Sequence, residues 1–131
     1  MQSALATTPI SPKLLWMGRI LSALPVVLLC FSGVMKLIQP TGFAEQVAQM
    51  GYTTKVMFWI GIVELLCTFL YVIPPTAVLG AILLAAYLGG ATATHLRVGD
   101  VFIMPIVVGV LLWAGLYLRD SRLRALLPLR S

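Results

Sequence analysis

Charged, redox-active and metal-binding side chains are scarce in this chain. Only 10% of its 131 residues are charged, with four acids, one histidine and two cysteines, whereas soluble proteins carry about a quarter charged residues. Cys30 and Cys67 both lie in apolar segments without Cys-x-x-Cys spacing, which disfavours a disulfide-generating enzyme. His95 has no second metal-type ligand nearby, so we expect no metal site. Phosphate-binding and dinucleotide-binding glycine motifs are also missing from the sequence.

Long apolar runs take the place of these groups. Hydrophobic residues make up 60% of the chain and are concentrated in four segments. Each has about eighteen residues, enough to cross a hydrocarbon core of roughly 30 Å. The net charge of +5 comes from residues at segment ends, so it indicates membrane orientation and excludes a nucleic-acid partner. We predict an all-α integral membrane four-helix bundle over residues 13–120, between a flexible tail (1–12) and a basic cytoplasmic tail (121–131).

Prolines and the ends of the apolar runs define the boundaries of the predicted helices. They run from about Leu14 to Ile38, from Val56 to Ile73, from Ala77 to about His95, and from Val101 to Leu118. In the connection 41–55, Phe43, Val47 and Met50 recur at helical spacing. This pattern predicts a short amphipathic helix lying on the membrane surface, between helices 1 and 2. An ordinary polar loop is the alternative.

Basic residues are distributed unequally between the two sides of the predicted bundle. Four spans place both termini on one side, and that side holds six basic residues: Lys13, Arg19, Arg119, Arg122, Arg124 and Arg130. The other side holds three, which are Lys36, Lys55 and Arg97. The positive-inside rule therefore predicts that both termini are cytoplasmic.

Small residues recur every four positions along the third predicted helix. One row contains Ala81, Ala85, Gly89 and Ala93, and the neighbouring row contains Ile82, Ala86, Gly90 and Thr94. Such rows allow helix backbones to approach closely in lipid. We therefore expect close helix contacts at Gly89 and Gly90, either within one bundle or between copies, which leaves a homo-oligomer open.

Glu64 is a single carboxylate halfway along the second apolar segment. A charge at mid-membrane costs about 2.5–3.5 kcal/mol, so a proton, partner, ligand or water must offset it. A ligand pocket is predicted around Glu64. Its polar lining comes from residues on the same helix face, from the facing side of the third helix, and from the turn beyond that helix. Together with two basic residues of the first helix, the candidates are Glu64, Thr68, Tyr71, Tyr87, His95, Arg97, Asp100, Lys36 and Arg19.

Two simpler interpretations of these polar residues remain open. Glu64 can serve only to fix helix packing through hydrogen bonds, and Arg97 can pair with Asp100 and cap helix ends. Because His95 lies nearer the outer surface than Glu64, a direct bond between the two side chains requires a favourable helix tilt, and a water or a tyrosine that bridges them is the alternative.

Several short motifs, in a particular order, carry a resemblance to a known family. They are Gly18-Arg19, Ser32-Gly-Val-Met-Lys36-Leu, Gly61-Ile-Val-Glu64-Leu65, Gly90-Ala91-x3-His95-Leu and Gly99-Asp100. Their order and spacing resemble the DoxX-like family of small four-helix bacterial membrane proteins. The resemblance implies a multi-pass protein of the bacterial inner membrane. Named members are linked to thiosulfate:quinone oxidoreduction, as a membrane subunit, and to assemblies with oxidative-stress enzymes, which makes a quinone the implied ligand.

Fold-level analogy does not carry function, and the chain has no redox cofactor motif of its own. We expect a non-catalytic accessory or assembly component of a membrane complex, with a polar pocket for a small lipophilic molecule. Its expected partners are the bilayer, that molecule, and a membrane or peripheral protein. The alternatives are a proton-coupled carrier in which Glu64 titrates and a small enzyme with Glu64 as acid and His95 as base. No repeat relates the two hairpins, which weighs against the carrier.

Overall fold

The computed structural model describes residues 11–126, except for the side chain of Arg124, and contains helices without strands over that range. They are α1 (Pro12–Ile38), α2 (Phe43–Gln49), α3 (Thr54–Val72), α4 (Ala77–Arg97), α5 (Ile103–Arg119) and α6 (Ser121–Leu126), with a 3-10 turn at Pro74–Thr76. The predicted all-helical fold is confirmed. The predicted helix in the 41–55 connection is present as α2.

The four long helices form a closed ring. Helix α1 packs against α3 and α5, and α4 packs against the same two helices from the opposite side. We call the end that carries the start of α1 and the end of α5 the terminal end. The other end, which carries α2 and the turn between α4 and α5, is the distal end.

Hydrogen-bonding side chains set where α1 and α3 begin. Ser11 Oγ accepts a hydrogen bond from the Leu14 amide at 3.3 Å, and Pro12 follows as the first helical residue. Thr53 Oγ1 accepts from the Val56 amide at 3.1 Å. Both helices therefore begin two residues before the apolar runs from which their starts were predicted.

Three helices are long and apolar enough to cross a membrane: α1, α3, and α4 together with its preceding 3-10 turn. Helix α5 is also apolar but has 17 residues, which corresponds to about 25 Å of helix. Large apolar side chains such as Phe69 and Val110 are exposed on the outside of the bundle. Three to four of the helices are thus compatible with the predicted membrane bundle.

Glycines bring the helices into close contact at two levels. At the terminal end, a Cβ on Gly18 of α1 would lie 2.8 Å from the Gly115 carbonyl oxygen of α5. Towards the distal end, a Cβ on Gly61 of α3 would lie 3.1 Å from the Gly33 carbonyl oxygen of α1. These contacts require the absence of a side chain.

The expectation of close contacts at Gly89 and Gly90 is wrong within this chain. A Cβ at either position would meet no atom within 4 Å. Of the first row only Ala81 is buried, and the buried face of α4 continues through Leu84 and Leu88, which places both glycines on the exposed side. The periodicity of small residues did not reveal which side of α4 faces its neighbours.

Candidate functional site

Glu64 is the most deeply buried charged residue among those described, and an ion pair accounts for its burial. It lies near the middle of α3 with 1% of its surface exposed. Lys36, from the last turn of α1, places Nζ 2.9 Å from Glu64 Oε1. The two charges compensate each other, which offsets part of the cost of keeping either one in an apolar interior.

Ser32 completes a triangle with this pair. It lies one helical turn before Lys36, so both side chains extend from the same face of α1. Lys36 Nζ donates to Ser32 Oγ at 2.6 Å, and Ser32 Oγ donates to Glu64 Oε1 at 3.4 Å. A lysine ammonium has three N–H donors. Two are used here, and the third has no acceptor among residues 11–126.

Tyr87 and Thr68 also approach Glu64, in different ways. The hydroxyl of Tyr87, on α4, lies beside the carboxylate and interacts with it. Thr68 Oγ1 donates to the backbone carbonyl of Glu64 at 2.8 Å, so it supports the helix and does not bind the carboxylate. Side chains from α1, α3 and α4 thus meet at one buried charge.

A cavity of about 1030 Å³ lies at the distal end, next to this cluster. Its walls come from α1, α3 and α4, and α2 with its flanking turns covers it. The apolar part of the lining includes Phe31, Met35, Val47, Met57 and Ile60, and the polar part includes Ser32, Lys36, Glu45, Tyr52, Tyr87 and His95. Lys36 and Ser32 therefore face the cavity on one side and Glu64 on the other.

His95 lines the same cavity but is paired with Asp100. Its Nδ1 lies 3.2 Å from Asp100 Oδ2, across the turn that ends α4. Asp100 Oδ1 accepts a hydrogen bond from the Val101 amide at 2.8 Å. This amide, and secondarily His95, hold the pKa of the Asp100 carboxyl below its ordinary value. His95 thus lines the cavity whose wall Glu64 backs, and the two side chains have separate partners.

Arg97 holds the cover of the cavity in place. Its Nη2 donates to the Met50 carbonyl at 3.0 Å, at the end of α2, and it does not pair with Asp100 as one interpretation of the sequence expected. A second tie joins Tyr52 and Thr94, whose hydroxyls lie 2.9 Å apart. Both contacts link the turn that follows α2 to the last turns of α4.

Tyr71 lies away from Glu64, in a separate network at the terminal end. Its hydroxyl donates to the Leu112 carbonyl at 2.5 Å and lies 3.0 Å from Ser22 Oγ. Arg119 Nε donates to the same Ser22 oxygen at 3.1 Å, and the guanidinium lies over the Tyr71 ring. This network joins α1, α3 and α5.

Arg19 is also distant from the cavity. It is exposed on α1, and its guanidinium carbon lies 5.0 Å from the centre of the Trp16 ring. Of the nine candidates, Lys36, Tyr87 and His95 line the cavity and Glu64 backs its wall. Ser32 and Tyr52 were not among them, although the spacing of Ser32 and Lys36 put both on one face of the first predicted helix.

A family model of the DoxX-like family matches residues 20–115, which includes Lys36, Glu64 and His95. Searches of the curated proteins and of the solved structures found no match. Because the family match covers well over half of the chain, the chain belongs to the DoxX-like family. The family match and the apolar helices together identify the chain as a multi-pass membrane protein.

Proposed function

We propose that this DoxX-like protein is a non-catalytic accessory component of a membrane complex, and that its distal cavity holds a small lipophilic molecule such as a quinone. The supporting observation is the cavity itself, about 1030 Å³ in volume, with largely apolar walls and the Lys36–Glu64 pair behind one of them. Small-molecule sites are typically concave, apolar and supplied with a few polar groups, and their volumes are similar.

A binding role is favoured over the acid–base enzyme because Glu64 and His95 have separate partners, Lys36 and Asp100. A general acid and a general base must both reach the substrate. The proton-coupled carrier is the second candidate, since a proton that reaches Glu64 would weaken its ion pair. Proteoliposomes with the wild type and with the Glu64→Gln variant are compared. Proton uptake by the first and none by the second would favour the carrier.

The proposed location is the inner membrane of a bacterium, with both termini in the cytoplasm. The argument is the excess of basic residues at the terminal end, which includes Arg119 and Arg122. Reporter fusions after Ser131 and within the segment 46–52 should report opposite sides of the membrane. A C-terminal reporter outside the cytoplasm would contradict this orientation.

Ligand binding is tested by filling the cavity. Gly90 lines it, and a Cβ added at Gly90 would meet no atom within 4 Å, so Gly90→Leu starts its side chain in open space at the cavity wall. Gly89 is equally open but does not line the cavity, which makes Gly89→Leu a matched control. Each protein is purified in mild detergent, its lipophilic molecules are extracted and identified by mass spectrometry, and binding of decylubiquinone is measured.

We expect a co-purifying molecule, or bound decylubiquinone, in the wild type and in Gly89→Leu, and a clear reduction in Gly90→Leu. Equal occupancy in all three proteins would show that the ligand lies elsewhere. The accessory role predicts that deletion of the gene lowers the amount of a membrane complex that co-purifies with the protein. A protein that migrates alone after cross-linking in native membranes would contradict that role.

A further inference from the structure

We infer that the distal cavity selects an uncharged molecule whose polar end accepts a hydrogen bond from Lys36, and discriminates against anions of similar size. This inference rests on the proposed function, because it requires that a ligand occupies the cavity. It adds the chemical class of that ligand and names the residue that recognises it.

The first argument is charge. Lys36 faces the cavity, but its positive charge is already compensated by Glu64 at 2.9 Å. A ligand carboxylate or phosphate bound to Lys36 would lie close to the Glu64 carboxylate, and repulsion between like charges is strong where water is excluded. Glu45 adds a further negative charge to the lining. A carbonyl or hydroxyl group introduces no such repulsion.

The second argument is the unused donor. Lys36 donates to Ser32 and to Glu64, and its third N–H has no acceptor within residues 11–126. The side chain is 17% exposed and lines the cavity, so a molecule in the cavity meets Lys36. A ligand oxygen that accepts from it satisfies the ammonium group without breaking the ion pair. Hydrogen bonds to a charged group contribute more than those between neutral groups.

The third argument is the side on which the cavity opens. Phe31 lines the cavity and is 66% exposed, and Gly90 is an exposed lining residue on α4. Both belong to helices of membrane-spanning length, so in a membrane this part of the lining is reached from the side of the bundle, whereas other exposed lining residues, such as Glu45, belong to α2 and its flanking turns. The side covered by α2 is tied down by Arg97. An apolar tail can therefore extend past Phe31 into lipid while the polar end remains at Lys36.

The test compares two probes with twelve carbons, dodecan-2-one and dodecanoate, at a pH of about 9 where the carboxylate is ionised. Binding of each to the purified wild type is measured by native mass spectrometry, with decylubiquinone as a second uncharged probe. We expect the ketone to bind at least about tenfold more tightly than the carboxylate. Equal or tighter binding of dodecanoate would overturn the inference and leave the proposed function standing. If neither uncharged probe binds, both fall.

A double variant tests whether Lys36 makes the selection. Lys36→Met with Glu64→Gln removes the donor and the carboxylate together and leaves no unpaired buried charge. We expect its preference for the ketone to fall to within about threefold of none, while Gly89→Leu retains the preference of the wild type. A double variant that folds and keeps the tenfold preference would show that another group selects the ligand, which would overturn the inference.

Discussion

Replacing only Lys36 of the Lys36–Glu64 pair should destabilise the protein more than replacing both residues together. Lys36→Met leaves Glu64, which is 1% exposed, without its cation. Removal of one partner from a buried ion pair typically costs about 3–5 kcal/mol. In a chain of this size, 1 kcal/mol corresponds to a shift in Tm of roughly 3–5 °C. We therefore expect Tm to fall by about ten degrees or more. Tryptophan fluorescence, recorded while the protein is heated in mild detergent, measures this change.

The control is the double variant Lys36→Met with Glu64→Gln. Replacement of both members of a buried pair by uncharged residues of similar size is often close to neutral. Its Tm should therefore lie within a few degrees of the wild type, although each variant has lost the same ion pair. A single variant as stable as the wild type would refute the reasoning. So would a double variant that is no more stable than Lys36→Met.

Three further predictions concern other parts of the fold. Gly115→Ala should cost about 1–3 kcal/mol in thermal unfolding, because its Cβ would lie 2.9 Å from the Gly18 carbonyl oxygen, whereas Gly89→Ala should be neutral. Tyr71→Phe should cost about 1–2 kcal/mol in the same assay, since it keeps the ring and loses the buried hydroxyl's hydrogen bonds. The pKa of Asp100 is lower in the folded state than its ordinary value of 3.8. The ionised carboxylate therefore stabilises the fold above pH 3.8, and this contribution is lost as the pH falls through the lower pKa of the folded state. Asp100→Asn should therefore show a weaker decline in Tm at acid pH, and an identical decline would contradict this assignment.

The helices could be predicted because the signals that define them are local. Apolar runs of membrane-spanning length and the Pro74-Pro75 pair predicted the order of the four long helices, three to four of which are compatible with a membrane bundle. Where a polar side chain caps a helix, the observed start differs from the predicted one by two residues. Thr53, for example, begins α3 before its apolar run starts.

Helix rotation could not be predicted, because periodicity identifies the faces of a helix but not their neighbours. The small residues of α4 formed the most regular pattern in the sequence, yet Gly89 and Gly90 face outward. The close contact between α1 and α5 depends on Gly18 and Gly115, which are 97 residues apart and belong to no shared repeat. Only the packed bundle brings them together.

The same limit applies to the site. The cost of a mid-membrane charge pointed to Glu64, and the sequence placed Lys36 among the candidates, but it did not identify the two as partners. Their positions differ by 28 residues and belong to different helices. Tyr71 shares a face of α3 with Glu64 at i+7, but that spacing spans about 10 Å of helix. This distance along the helix separates Tyr71 from Glu64 and places it in the terminal network with Ser22.

The two ends of the bundle differ in a way that explains where the cavity lies. At the terminal end, Gly18 and Gly115 bring α1 and α5 together, and the Tyr71 network fills the space between them. At the distal end, α5 contributes no lining residue to the cavity among those described, and α1, α3 and α4 enclose it under α2. Lys36 and Glu64 join α1 to α3 at this wall. If a molecule binds there as proposed, it meets Lys36 on the cavity side of the pair, so ligand occupancy and the stability of this helix contact should depend on each other.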